Sequence, residues 1–327
     1  MSFSTQRRFA LALGGVALLL GAASAAHAQT TAPLRVILPV GAGSAVDGIV
    51  RAAQSELSKA LGGQPVIIEN LPGAGGITGT SALVKAAPDG STIGVLSNNH
   101  AVNPSVYKKL PYDSVADITP ISVVGATPFV LVVNPAKVPA KNAKELQAFL
   151  KAKPGEFNYG SSGNGTIIHL AGEMAIDALG ADVKHIPYKG VGPQVSDLIG
   201  GQVELGVVAV PAVQAHIKSG ALRAIGVLGK SRVPTLPDVP TFAEQGFPEV
   251  EVAGWFMVAG PKGLPPVQVK RIHDAVVAAF GTAEVKAAMA KQETVVAPTT
   301  PEAATAFLKS EQERYARLAK KADIKLD

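Results

Sequence analysis

The feature that most constrains the fold is a repeated order of apolar strand, glycine-rich turn and amphipathic helix. It occurs first at Leu34–Leu38, where the strand leads through a turn at residues 41–44 into a helix that ends near Leu61. It occurs again where a strand from Phe157 ends in the segment 160–166 and a helix follows. Strands that alternate with helices form doubly wound parallel sheets. The pattern therefore predicts an α/β fold with doubly wound, mostly parallel sheets.

Two such blocks in one chain predict two lobes. The 327 residues suit two lobes of about 100–150 residues each. Each lobe would present the carboxyl ends of its strands to a shared cleft, where ligands of open α/β sheets bind. We place the two segments of a hinge near residues 130–134 and 250–255. The predicted domains are a signal peptide at 1–28, lobe 1 at 29–131 plus 250–327, and lobe 2 at 132–249.

The amino-terminal segment has the pattern of a secretory signal. Arg7 and Arg8 precede an apolar run, Phe9–Leu20, that is too short to span a bilayer as a retained anchor. The small residues that follow end in Ala26-His27-Ala28, which is an A-x-A cleavage pattern. We expect cleavage after Ala28 and a periplasmic location.

Composition and motifs exclude several classes of function. The chain has no cysteine, so disulfides and a lipid anchor on cysteine are excluded. Its net charge of +5 is spread without long runs of one sign, which argues against nucleic acid as a partner. No G-x-S-x-G elbow, phosphate-binding G-x-x-x-x-G-K-[ST] loop or H-E-x-x-H motif occurs. We therefore predict no enzyme activity, no catalytic residues, no metal and no cofactor.

The first glycine turn is a candidate anion site. Gly43 lets backbone N–H groups point at a ligand, Ser44 adds a hydroxyl, and the following helix contributes the positive end of its dipole. The alternative is a plain tight turn in which Ser44 caps the helix.

The second glycine turn has the same character and adds more short donors. Ser161, Asn164 and Thr166 alternate with Gly163 and Gly165 before a helix begins. His169 lies one turn into that helix, and Asn98 follows the third strand. The alternatives are generic helix capping for the loop and ordinary packing or solvation for the histidine.

Eight segments in order give the chain a family resemblance. They are ENLPGAGG at 69–76, APDG at 87–90, NPSVY at 103–107, LPYD at 110–113, SSGNGTIIHL at 161–170, PYKG at 187–190, LPDVPT at 236–241 and AGWF at 253–256. With these segments the chain resembles the Bug family, the substrate-binding components of tripartite tricarboxylate transporters.

The resemblance implies a type II periplasmic binding protein that closes on a small organic carboxylate like a hinged clamp. It implies delivery of that ligand to the membrane permease subunits of a tripartite tricarboxylate transporter, and we expect a monomer. One alternative is a receptor subunit that presents its closed form to a sensor kinase. Another is an exported hydrolase using Ser161 or Ser162, which would need a base and an orienting acid nearby.

The predicted ligand contacts come from both loops and from the strand ends around them. The full set is Val40, Gly43, Ser44, Asp47, Asn98, Ser161, Gly163, Asn164, Gly165, Thr166, His169, Tyr188 and Ala209. Relative to the family pattern, Val40 replaces an aromatic residue, Val46 a hydroxyl residue, and Ala209 a position that is often Asp or Asn. These apolar replacements favour a less polar or aromatic carboxylate over an amino acid.

Overall fold

The computed structural model describes residues 32–321, so the predicted signal peptide and its cleavage site after Ala28 lie outside the described residues. The strands are β1 (Leu34–Leu38), β2 (Val66–Asn70), β3 (Thr92–Ser97), β4 (Ile118–Val133), β5 (Phe157–Ser161), β6 (Val183–Pro187), β7 (Leu205–Ala209), β8 (Arg223–Val227), β9 (Ala253–Pro261) and β10 (Val295–Val296).

Helices separate most of these strands. They are α1 (Ala45–Ala60), α2 (Ile77–Val84), α3 (Asn98–Val106), α4 (Ala143–Lys151), α5 (Ile167–Leu179), α6 (Val191–Gly200), α7 (Val210–Lys218), α8 (Pro266–Gly281), α9 (Ala283–Lys291) and α10 (Pro301–Lys321). No helix within residues 32–321 is both long enough and apolar enough to cross a membrane.

Local sequence explains where the helices that open onto the two loops begin. Ser44 and Thr166 have extended backbone and accept hydrogen bonds from the N–H groups of Asp47 and His169, so both act as N-caps. Helix α5 ends at Gly180, whose φ of 58° is the left-handed conformation that glycine adopts at helix ends. Both glycine turns therefore lead directly into capped helices.

The strands form one continuous arrangement with parallel ends and an antiparallel centre. Their order is β2-β1-β3-β9-β4-β7-β5-β6, with β8 and β10 both paired to β4. Strands β1–β3 pair in parallel, as do β5–β7, whereas β4 and β9 run antiparallel to each other and to their neighbours. The predicted α/β class is confirmed. The sheet is mixed rather than mostly parallel, because its two central strands, β9 and β4, run antiparallel to their neighbours.

Strand β4 joins the two halves of the molecule by changing partners along its length. Up to Pro128 it pairs with β9, and from Phe129 onward it pairs with β7. Leu228 and Val252 reinforce this point, because the Leu228 N–H donates to the Phe129 carbonyl and the Val252 N–H donates to the Leu228 carbonyl. The glycine turns that follow β1 and β5 therefore lie on opposite sides of this change of partners.

Candidate functional site

The first loop is shaped from within by an acidic side chain. The Gly43 N–H donates to Asp47 Oδ2 at 2.9 Å, and Gly43 has a φ of 77° that favours glycine. Asp47 Oδ1 accepts from Arg51 Nε at 2.9 Å and from Asn70 Nδ2 at 3.0 Å. Burial raises the pKa of Asp47, but these bonds outweigh it and hold the pKa below its usual value. Asp47 thus holds the loop in this conformation, and its negative charge is compensated by Arg51 of the same helix.

The two valines of this region have different environments. Val46 is 5% exposed and packs in the core of the β1–β3 half, whereas Val40 is only partly buried at the edge of the same core. The Val40 carbonyl accepts from Asn70 Nδ2 at 3.2 Å. Of these two apolar replacements, only Val40 is exposed enough for a ligand to contact it.

The second loop is a network of short hydrogen bonds. The Ser161 hydroxyl lies 3.2 Å from both the N–H and the carbonyl of Gly163, and that carbonyl also accepts from Thr166 Oγ1 at 2.8 Å. The Gly165 N–H donates to His169 Nδ1 at 3.1 Å. Asn164 is exposed at the tip. The structure therefore brings together the second-loop residues that the sequence singled out.

Both loops leave backbone donors without a partner. The first turn of any helix has N–H groups that the helix itself cannot satisfy. Within the part of the chain that the structure describes, no acceptor is bonded to the N–H groups of Ala45, Val46 and Ile168. These donors stand at the positive ends of α1 and α5, which is the arrangement that attracts carboxylates.

Adjacent asparagines at the start of α3 have different roles. Asn98 is 1% exposed and its side chain is bonded to Ala253, Trp255 and Tyr315. Asn99 is only partly buried, and its Oδ1 accepts from the N–H of Ile167 at 2.8 Å. All hydrogen bonds of the Asn98 side chain are therefore made in the interior. Asn99, in contrast, connects the half of the molecule that contains β1–β3 to the other half, through the first turn of α5.

Tyr188 and Ala209, the remaining predicted residues, flank the second loop and the end of β7. The Tyr188 hydroxyl donates to Asp197 Oδ2 at 2.8 Å, and its backbone N–H donates to the Ser161 carbonyl at 2.9 Å. Ala209 is partly buried and immediately precedes α7. The Tyr188 backbone therefore supports the loop, and Ala209 presents only a methyl group at its strand end.

His185 is a residue of this site that the sequence reasoning did not select. Its Nε2 lies 2.6 Å from Ser161 Oγ, a contact that joins β6 to the second loop. A serine beside a histidine is part of a hydrolase arrangement, but Ser161 is 0% exposed. Among residues 32–321, no carboxylate is hydrogen-bonded to the His185 ring. This geometry fits support of the loop better than attack on a substrate.

Comparison with known proteins shows that the chain is similar to transport receptors. A family model described as the tripartite tricarboxylate transporter family receptor matches residues 49–324. Protein BugT of Bordetella pertussis is 37% identical over 296 residues, which are 90% of each chain.

Solved structures agree with this result. The periplasmic binding protein BugD is 32% identical with a TM-score of 0.84, over 90% of this chain and 99% of that one. Rpa4515 of R. palustris with adipate is 30% identical with a TM-score of 0.85, again over 90% and 99%. MatC from Rhodopseudomonas palustris with bound malate is 26% identical with a TM-score of 0.80, over 88% and 98%.

Proposed function

The chain belongs to the family of tripartite tricarboxylate transporter receptors, and from this membership we propose that it captures a small organic carboxylate between its two lobes. The predicted family resemblance is thereby confirmed. We further propose that the protein works in the periplasm after cleavage at Ala28, and that it delivers its ligand to the membrane permease subunits of such a transporter. The sensor-kinase alternative is not favoured, because the family description names a transporter.

The observation that carries the proposal is the pair of glycine-rich loops that open α1 and α5. Each loop ends in a capped helix whose first turn offers N–H groups without an acceptor in the described chain, at Ala45, Val46 and Ile168. Such groups bind a carboxylate through hydrogen bonds and through the helix dipole. The relatives whose structures hold adipate and malate support the same class of ligand.

The residues around the loops support an acid with an apolar body. Val40 at the first loop and Ala209 at the end of β7 are partly buried and offer no hydrogen bond from their side chains. An amino-acid ligand would bury an ammonium group, which costs free energy unless an acidic or amide partner meets it. Asp47 is already bonded to Gly43, Arg51 and Asn70. We therefore propose that adipate-like or aromatic acids bind better than aspartate.

A calorimetric panel tests the class of ligand and its polarity separately. Mature protein would be unfolded and refolded to remove retained ligand, then titrated with adipate, benzoate, malate, citrate and aspartate. We expect adipate or benzoate to bind at least about tenfold more tightly than aspartate, a difference of about 1.4 kcal/mol. Adipamide, which keeps the length of adipate and loses both charges, is the control. Binding of none of the acids would contradict the proposed function, whereas preference for aspartate would contradict only the polarity argument.

Asn99 gives a prediction about closure of the two lobes. Asn99→Ala removes the acceptor that meets the Ile167 N–H at 2.8 Å, and loss of one such bond is worth about 1 kcal/mol. We expect the affinity for the best acid of the panel to fall about fivefold, with little change in the melting temperature. The matched control is Asn142→Ala, which removes the N-cap of α4 and should lower stability by about 1 kcal/mol while leaving affinity intact. Equal affinity loss in both variants would contradict a role for Asn99 in closure.

A further inference from the structure

A buried carboxylate lies in the first turn of the helix that follows the first loop. Asp47 is 5% exposed, and its Oδ2 accepts from the Gly43 N–H at 2.9 Å. It directly follows Ala45 and Val46, whose N–H groups have no acceptor in the described chain. A negative charge of the chain is therefore in the same turn as the donors proposed to bind the negative charge of the ligand. Unless it is compensated, this charge repels a carboxylate.

Two side chains donate to this carboxylate from different elements. Arg51 lies one turn further along α1, and its Nε donates to Asp47 Oδ1 at 2.9 Å. Asn70 ends β2, and its Nδ2 donates to the same oxygen at 3.0 Å. Both oxygens of the Asp47 carboxylate thus have donors within the chain, and among these donors Arg51 supplies the positive charge.

Asn70 also orients the arginine and connects it to the strand before the loop. Its Oδ1 accepts from Arg51 Nη2 at 2.9 Å, and its Nδ2 also donates to the Val40 carbonyl at 3.2 Å. Arg51 therefore uses two nitrogens of one guanidinium, one for Asp47 and one for Asn70. The planar guanidinium can make both contacts at once in a fixed geometry, which the single ammonium group of lysine does not reproduce. The position of the positive charge is thus fixed at the base of the loop.

We propose that Arg51 is a positioning residue for the ligand: by compensating the charge of Asp47, it allows the free N–H groups of Ala45 and Val46 to bind a carboxylate. This inference rests on the proposed function and deepens it, because it concerns the same loop. Arg51 acts through Asp47 and does not need to touch the ligand. Asp47 was predicted from the sequence as a ligand contact, and here its carboxylate acts within the loop.

The exposure of Arg51 makes the effect of its charge separable from an effect on folding. Its side chain is 48% exposed, so its removal should disturb the core little. Asp47 would keep the bonds from Gly43 and Asn70 but lose its only cationic hydrogen-bond partner within the described chain. Salt screens the resulting repulsion of the ligand, because the screening length shortens from about 30 Å at 0.01 M to about 3 Å at 1 M. Salt would not restore affinity that is lost because the loop is misshapen.

The test compares the wild-type protein with Arg51→Met, which keeps an unbranched side chain and removes its charge. Both would be titrated calorimetrically with adipate and with benzoate at neutral pH, in about 0.02 M and about 0.5 M sodium chloride. At low salt, Arg51→Met should bind about fivefold more weakly than the wild type, and at high salt the difference should shrink to about twofold or less. Arg51→Lys restores the charge without the double contact and should recover most of the affinity at low salt.

The matched control is Lys59→Met, which removes one positive charge from the last turn of the same helix, where Lys59 Nζ pairs with Glu56 Oε1 at 2.7 Å. The two variants have the same net charge, so the control should bind like the wild type at both salt concentrations. Equal losses in Arg51→Met and the control, or a loss in Arg51→Met that salt does not reduce, would overturn the inference alone. Unchanged affinity in Arg51→Met at low salt would do the same. A wild-type protein that binds neither acid would contradict the proposed function and this inference with it.

Discussion

Replacement of Asn98 by leucine is expected to lower the free energy of unfolding by about 3–5 kcal/mol. Asn98 is 1% exposed, and its Nδ2 donates to the Ala253 carbonyl at 2.9 Å and to the Tyr315 hydroxyl at 2.6 Å. Its Oδ1 accepts from the Trp255 N–H at 2.8 Å. Leucine fills a similar volume but leaves three polar groups without this partner in the interior. Because α3, β9 and α10 meet at this side chain, the loss should affect the whole fold.

The size of this effect can be separated from simple loss of packing. Tyr315→Phe removes only the hydroxyl that Asn98 meets, so it should cost about 1 kcal/mol. The two substitutions share a partner, so the double variant should be less unstable than the sum of the single variants. Urea unfolding followed by circular dichroism provides the free energies. A loss below about 1 kcal/mol for Asn98→Leu, or strict additivity in the cycle, would contradict the central role of the network.

The sequence predicted best those elements whose apolar pattern is uninterrupted. Strand β1, Leu34–Leu38, has the bounds that its sequence indicated. Strand β4 is predicted only at its end, as a hinge segment near residues 130–134, because Pro120, Gly125 and Pro128 interrupt it as they would a loop. Its sixteen residues are held by pairing with β9 over the first part and with β7 over the last. Such a strand depends on partners far along the chain, so local pattern cannot reveal it.

Helix α3 shows the same limit at the candidate site. It begins Asn98-Asn99-His100 and contains Pro104, so its sequence favours a strand end followed by a loop. The helix forms because Asn98 finds buried partners on β9 and α10. Asn98 was therefore predicted as a ligand contact, whereas the structure places it within the interior and brings Asn99 to the helix α5. Only tertiary partners distinguish these two neighbouring asparagines.

The loops themselves were predictable, but the groups that hold them were not. Glycines and short polar residues before a helix mark both loops in the sequence. His185 supports the second loop. It lies on the edge strand β6, and its two neighbours in sequence are exposed. Nothing adjacent in sequence marks this histidine, because its partners, Ser161 and His169, are brought to it by strand pairing. Sequence alone therefore predicts the donors of such a site better than their supports.

Gly163→Ala is expected to weaken binding of the best carboxylate by about 10- to 100-fold. Gly163 has a φ of 136°, and a Cβ placed there would lie 3.2 Å from the Tyr188 carbonyl oxygen. The Gly163 carbonyl also accepts from Thr166, and its N–H donates to Ser161. Alanine strains this backbone by about 1–3 kcal/mol, and the loop can relieve the strain only by giving up these bonds. Calorimetric titration at neutral pH measures the resulting loss.

The matched control is Gly192→Ala, the same chemical change at a nearby glycine of α6. Its φ lies outside the left-handed region, and a Cβ at this position would meet no atom within 4 Å. Alanine there should keep affinity and add up to about 1 kcal/mol of stability, since alanine favours helices over glycine. Loss of affinity at Gly163 without a comparable fall in melting temperature would identify the shape of the loop as the quantity that binding requires. Unchanged affinity in Gly163→Ala would show that the carboxylate does not bind at this loop.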